Sequence, residues 1–169
     1  MIFTATSDHR FDLGDRTCPC ALGKGGVVRA DHKREGDGCS PLGTWPIRAI
    51  LYRPDQAFAA LMPKDVAHAP IQPSDGWCDD PQDPNYNRQI VLPYPATAEH
   101  LWREDRVYDV VVVLGHNDDP PVPFMGSAIF LHLARPDYSP TAGCVALSEA
   151  DMEAFLTRVR PGDSVRIAL

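Results

Sequence analysis

Tyr108 to Leu114 reads Tyr-Asp-Val-Val-Val-Val-Leu, and no other segment constrains the fold as strongly. Consecutive valines are weak helix formers but pack well on a pleated surface, and a nearly continuous apolar strand needs cover on both faces. Such a strand belongs at the centre of a sheet. The punctuation around it agrees: 17 prolines and 12 glycines in 169 residues enforce frequent turns, which suits short strands and surface loops better than a helical bundle. Trp45 to Arg53 reads as a half-buried strand in which Ile47, Ala49 and Leu51 alternate with larger or more polar residues. Ser148 is placed to cap a helix, with Asp151 as a short stand-in for the capping-box glutamate and Met152, Phe155, Leu156 and Val159 on one face. Pro161-Gly162 ends that helix, and Val165, Ile167 and Leu169 alternate in a closing strand. The expectation is a mainly β domain, α+β only in a minor sense, with one C-terminal helix and long loops.

Composition bounds what such a chain does. A length of 169 residues suffices for one domain, 1–169, with a substantial core, and 44% hydrophobic with 23% charged residues is ordinary for a globular protein. Sixteen basic against 23 acidic residues give a net charge of -7, which argues against nucleic acid or an anionic membrane surface as partner. No apolar run reaches the roughly 18 residues a transmembrane helix needs, and Met1 to Arg10 does not read as a signal peptide. Export information, if the protein is exported, is expected outside this chain or by a route it does not show.

Chemistry concentrates between Ile129 and Leu147. His132 lies in an apolar run where alternation puts Phe130 and His132 on one face of a strand and Ile129, Leu131 and Leu133 on the other. Eleven turn-rich residues later comes Cys144, at the start of a second apolar run and directly after Gly143. A cysteine attacks as its thiolate, and a free pKa near 8.5 leaves little thiolate at neutral pH, so a neighbouring imidazole that takes the proton activates it. A glycine before the nucleophile lets backbone approach a substrate closely, and amides at such a turn can face a developing oxyanion. On the residues alone a second reading stands beside this one, with Cys144 a small buried hydrophobe and His132 a hydrogen-bonded core residue.

Three other features carry weaker signals. Besides Cys144 there are Cys18, Cys20, Cys39 and Cys78, which can form two bridges, remain free, or contribute Cys18 and Cys20 to a zinc site that their Cys-x-Cys spacing fits poorly. From Pro70 to Pro95 prolines, aspartates and asparagines forbid long regular elements, so this stretch is either a flap with Trp77, Tyr86 and Arg88 touching substrate or a surface loop pinned by Cys78. Its aspartates Asp79, Asp80 and Asp83 lack the ligand pattern of a calcium loop. His116 follows the valine strand at a strand end, where it either lines the same cleft as His132 or is structural.

Thr141-Ala142-Gly143-Cys144-Val145, preceded by a strand carrying His132 and followed by a capped helix and terminal strand, resembles the catalytic core of the L,D-transpeptidases, the YkuD-like domain. Ser40-Pro41-Leu42-Gly43-Thr44-Trp45 resembles the family's Thr-Pro-x-Gly-x-Phe segment, with Ser for Thr and Trp for Phe. The likeness covers roughly Lys24 to Arg53 and Val107 to Leu169, leaving a loop-rich insertion at about 54–106 without counterpart. It implies a β-sandwich-like catalytic fold and a cysteine acyl-enzyme, with no metal or cofactor. Cys144 would be the nucleophile, His132 its base, the Leu133 carbonyl the group that orients the base, and the Gly143 and Cys144 amides the oxyanion donors. Peptidoglycan stem peptides are the implied donor and acceptor, carbapenems the implied inhibitors, and the cell envelope or periplasm the implied location. Thr141, His116 and Arg135 would then contact substrate, Arg135 through a stem-peptide carboxylate. Ala142 and Ala146 depart from the family, standing where relatives often carry His and Arg or Asn. The donor grip is therefore expected to differ, which keeps a 1→3 cross-link open beside the usual 3→3, and hydrolysis or a non-catalytic wall-binding role beside both.

Overall fold

The computed structural model describes all residues, Met1 to Leu169. Thirteen strands and one α-helix follow in order. The first half holds β1 (Ile2–Thr6), β2 (Arg10–Asp12), β3 (Thr17–Pro19), β4 (Val27–Arg29), β5 (Ser40–Tyr52) and β6 (His68–Pro70). The second holds β7 (Asp75–Cys78), β8 (Gln89–Val91), β9 (Ala98–His100), β10 (Val110–Leu114), β11 (Phe130–Leu133), β12 (Val145–Leu147), α1 (Glu149–Arg158) and β13 (Ser164–Ala168). The main sheet runs β12-β11-β10-β5-β13-β1-β2-β3, with β4 and β6 also pairing β5, and a separate three-stranded sheet runs β8-β7-β9. The architecture is mainly β with one helix. No helix is long and apolar enough to cross a membrane.

The valine strand shows why both faces needed cover. Val110, Val112 and Leu114 of β10 join the larger apolar cluster, which includes Phe3, Phe11 and Phe155, whereas Val111 joins a smaller cluster on the opposite face. On β11 the same alternation sends Leu131 and Leu133 to the large cluster and Phe130 to the small one. The helix seals the large cluster with Met152, Phe155 and Leu156, and Phe155 lies 4.7 Å from the Phe3 ring. Its start is fixed locally: the Ser148 hydroxyl accepts from the Asp151 amide at 3.2 Å and donates to Asp151 Oδ2 at 2.7 Å.

Three local expectations change. β5 is longer than the pattern suggested, and a bulge opposite Val113 and Leu114 breaks its alternation, so that Ile47 packs on the large cluster and Leu51 on the small one. The helix stops at Arg158, with Val159 already extended and Gly162 at φ +84°, and β13 ends at Ala168, leaving Leu169 exposed. Most important, residues 75–100 are not a structureless loop. Their prolines and aspartates keep the elements short, yet β7 pairs with both β8 and β9, and this small sheet lies over the face of β11 that carries Phe130 and His132.

Candidate active site

Parallel pairing of β11 with β12, with Leu131 opposite Val145 and His132 opposite Ala146, carries Cys144 to the start of β12 beside Phe130. The sulfur accepts from the Phe130 amide at 3.4 Å, and its S–H donates to the Ala128 carbonyl at 3.2 Å. His132 lies two residues along β11 from Phe130, on the same face by strand alternation. Both Cys144 and His132 line one cleft of about 380 Å³. No hydrogen bond joins them in this state. The imidazole is oriented by its Nδ1–H, which donates to the Leu133 carbonyl at 2.9 Å. A carbonyl only accepts, so Nδ1 carries the proton and Nε2 is left with its lone pair for base chemistry.

Burial sets the resting charge state. Loss of solvent pushes the Cys144 thiol up to about 12, with the Glu99 carboxylate adding to that effect and the Phe130 amide and Lys33 opposing it. The same burial pushes His132 down to about 4. The pair is therefore neutral at pH 7, a thiol beside an imidazole rather than a thiolate beside an imidazolium.

The turn before Cys144 is held from several sides. Gly143 adopts φ +139°, and a Cβ there would come within 2.8 Å of the Cys39 carbonyl, so both conformation and space require glycine. Thr141 is a brace for the turn: its hydroxyl donates to the Cys144 carbonyl at 2.7 Å and accepts from the Gly143 amide at 3.1 Å. The Thr141 backbone in turn pairs with the Leu22 carbonyl and the Lys24 amide, both at 2.9 Å. The Ser40 hydroxyl accepts from the Gly23 amide at 2.9 Å, so the upstream Ser-Pro-x-Gly segment is tied to the stretch that braces the Cys144 turn. One expectation shifts here. The Gly143 amide is already committed to Thr141, whereas the Cys144 amide has no protein acceptor.

The other expected site residues separate. Arg135 lines the cleft and pairs with Asp105 at 2.9 Å, and Thr141 lines it as well. Trp77 does not: it packs edge-on against Phe130 at 5.1 Å, donates to Asn87 Oδ1 at 2.9 Å, and with exposed Arg88 lines a different pocket. Tyr86 is buried behind the cleft wall, and its hydroxyl donates to Glu35. His116 is buried outside the cleft, edge-on to Trp45 at 4.8 Å, and burial pushes it down to about 4. All five cysteines are unpaired, and no metal-ligating group of three or more side chains gathers anywhere. Sequence reading missed Lys33, Glu35, Asp79, Glu99, Arg103, Tyr108 and Ser127, all in the cleft wall. They come from loops and short strands with no apolar period; Tyr108 stood out only as the head of the valine run, and Asp79 only in an acidic loop that lacks a calcium pattern.

The L,D-transpeptidase catalytic domain model, YkuD, matches residues 5–167. The chain belongs to this family. Among solved structures, the chain is similar to L,D-transpeptidase 1 of Mycobacterium tuberculosis, at 15% identity and a TM-score of 0.45, over 99% of this chain and 58% of that one. An L,D-transpeptidase from Mycobacterium smegmatis gives 16% identity and 0.44 over 98% and 57%, respectively. L,D-transpeptidase 3 of Mycobacterium tuberculosis, solved with a faropenem-derived adduct, gives 14% and 0.46 over 99% and 60%. The chain thus spans less than two thirds of the length of these L,D-transpeptidases. No curated protein matches it.

Proposed function

We propose that this chain is a peptidoglycan L,D-transpeptidase of the cell envelope, working through an acyl-enzyme on Cys144. The observation that carries the reading is the meeting of Cys144 and His132 in one cleft, with the imidazole tautomer fixed by the Leu133 carbonyl. As the thiol attacks the carbonyl of an L-residue at an L-to-D bond, His132 Nε2 takes the S–H proton and then gives it to the leaving amine of the D-residue. For this transfer the S–H leaves the Ala128 carbonyl and turns to His132. The Cys144 amide faces the developing oxyanion. An acceptor amine, such as the side-chain amine of a diaminoacid in a second stem, then attacks the thioester. The C–N bond forms, the C–S bond breaks, and the thiol is restored. Arg135, exposed at the cleft edge, is placed for a stem-peptide carboxylate.

Ala142 lines the cleft without bringing a polar side chain to it, and Ala146 is buried, where it bonds backbone to backbone with Ala21. The donor grip is thus not built from those positions, which favours attention to the L-to-D bond at the first stem residue and a 1→3 link as the second reading. Incubation with purified disaccharide-tetrapeptide, followed by tandem mass spectrometry of the products, tests the proposal. Loss of terminal D-alanine with a 3→3 dimer supports the first reading, and release of a peptide beginning with D-glutamate supports the second. Hydrolysed monomer as the sole product would instead make the chain an L,D-carboxypeptidase or endopeptidase.

A further inference from the structure

Charge in the cleft is less balanced than a count suggests. Lys33, Arg103 and Arg135 line it together with Glu35, Asp79 and Glu99. Each cation, however, is paired to a carboxylate outside the cleft wall: Lys33 to Asp37, and Arg103 and Arg135 to Asp105 at 2.6 and 2.9 Å. Neither Glu35, Asp79 nor Glu99 has an ion-pair partner. Arg103 and Arg135 share one carboxylate, so three positive charges meet five negative ones and the balance is still negative. Two polar atoms in the same wall also lack any partner: Asp79 Oδ1, and the hydroxyl of Ser127, a residue only 8% exposed. A wall with unpaired carboxylates and an unpartnered buried hydroxyl is chemically incomplete, and a group that is cationic and donates several hydrogen bonds completes it.

Glu99 is the best placed of the three carboxylates. Its β9 position pairs with Trp77 of β7, which turns both toward the β11 face. The Tyr108 hydroxyl donates to its Oε2 at 2.7 Å, leaving Oε1 open, and the Tyr108 ring lies edge-on to His132 at 5.2 Å. One aromatic ring therefore sets the carboxylate at a fixed place relative to the imidazole. We propose that Glu99, with Asp79, Glu35 and Ser127, forms an ammonium subsite for the acceptor, and that Glu99 accepts the proton that makes the acceptor amine a nucleophile. The assignment rests on the transpeptidase reading and adds a base for its second half. An ammonium loses one proton to the Glu99 carboxylate, and the free amine attacks the thioester carbon. The second proton passes to His132 Nε2, which returns it to the departing sulfur, and Glu99 releases its own proton to solvent.

Groups around the carboxylate suit the role. Burial raises Glu99 above the ordinary carboxylate range, Tyr108 opposes this, Asp79 and Glu35 add to it, and Arg103 opposes it, leaving a stronger base than an exposed glutamate. A bound ammonium also offsets the effect by which ionised Glu99 holds the Cys144 thiol protonated.

The test compares cross-linked dimer with hydrolysed monomer formed from disaccharide-tetrapeptide, since both products drain one acyl-enzyme. Glu99→Gln is expected to lower the dimer-to-hydrolysis ratio by about tenfold or more. Dimer formation by the variant should then climb with pH toward the amine's own pKa, near 10. Glu99→Asp should recover part of the ratio, and Asp79→Asn, which leaves the Tyr108 contact intact, should lower it less. Thermal melting of each variant separates these effects from misfolding. An unchanged ratio and pH profile in both Glu99→Gln and Asp79→Asn, with the wild-type protein active, would overturn the assignment. A wild-type protein that forms no acyl-enzyme on Cys144 would overturn the reading beneath it.

Discussion

At pH 7 the His132 imidazole is neutral and the Cys144 thiol protonated, because burial pushes the first down to about 4 and the second up to about 12. The base is competent whenever it is unprotonated. The rate of Cys144 acylation should therefore be level through neutrality and fall only as pH drops through about 4, where His132 takes a proton. A pH profile of acylation checks this, and an acidic limb centred near 6.5 would show an exposed, ordinary imidazole instead. His132→Ala should slow acylation by about 100-fold or more near neutrality and recover toward alkaline pH, where the thiolate forms unaided. His132 and Cys144 were legible in the sequence because an apolar strand and a Gly-Cys turn frame them. Glu99 and Ser127 were not, since neither belongs to a periodic segment and only tertiary folding brings them to the cleft.

The nucleophile turn is an element whose geometry depends on Thr141 and Gly143. Thr141→Val keeps the shape but removes both hydroxyl bonds. The expected result is a loss of about 1–3 kcal/mol, read as a lower acylation rate with a smaller change in melting temperature. It should also free the Gly143 amide. Gly143→Ala should be more damaging, because a Cβ meets the Cys39 carbonyl and the backbone leaves φ +139°. At the other end of β12, Ser148→Ala removes the α1 cap and should cost about 1 kcal/mol of stability, measured by denaturant unfolding, with acylation kinetics unaltered. The helix was readable from its cap and its 3.6-residue period. The small β8-β7-β9 sheet was not, because strands of three or four residues among prolines and aspartates carry too few alternating positions to show a period. The β5 bulge hid for a related reason: one extra residue reverses the alternation, and only pairing with β10 reveals it.

For the molecule as a whole, two buried neutral histidines, one in the cleft and one outside it, tie stability to pH. His116 and His132 both titrate near 4 in the folded chain, against about 6.5 when unfolded. Between those values the unfolded chain binds more protons, so stability is full above pH 6.5 and falls as pH drops toward 4. Each histidine contributes on the order of 3 kcal/mol across that window, while Glu99 and Asp109, whose carboxyls burial raises, act in the opposite sense. Melting temperatures of the wild-type protein and a His116→Asn, His132→Gln double variant should diverge in slope below pH 6.5, and equal slopes would contradict neutral burial. Intact-protein mass spectrometry after incubation with a carbapenem shows whether Cys144 is a nucleophile activated by His132. One adduct of the inhibitor's mass is expected, located on Cys144 by peptide mapping, absent in Cys144→Ala and slow to form in His132→Ala. No adduct, or an adduct on Cys18, Cys20, Cys39 or Cys78 with Cys144 unmodified, would contradict it.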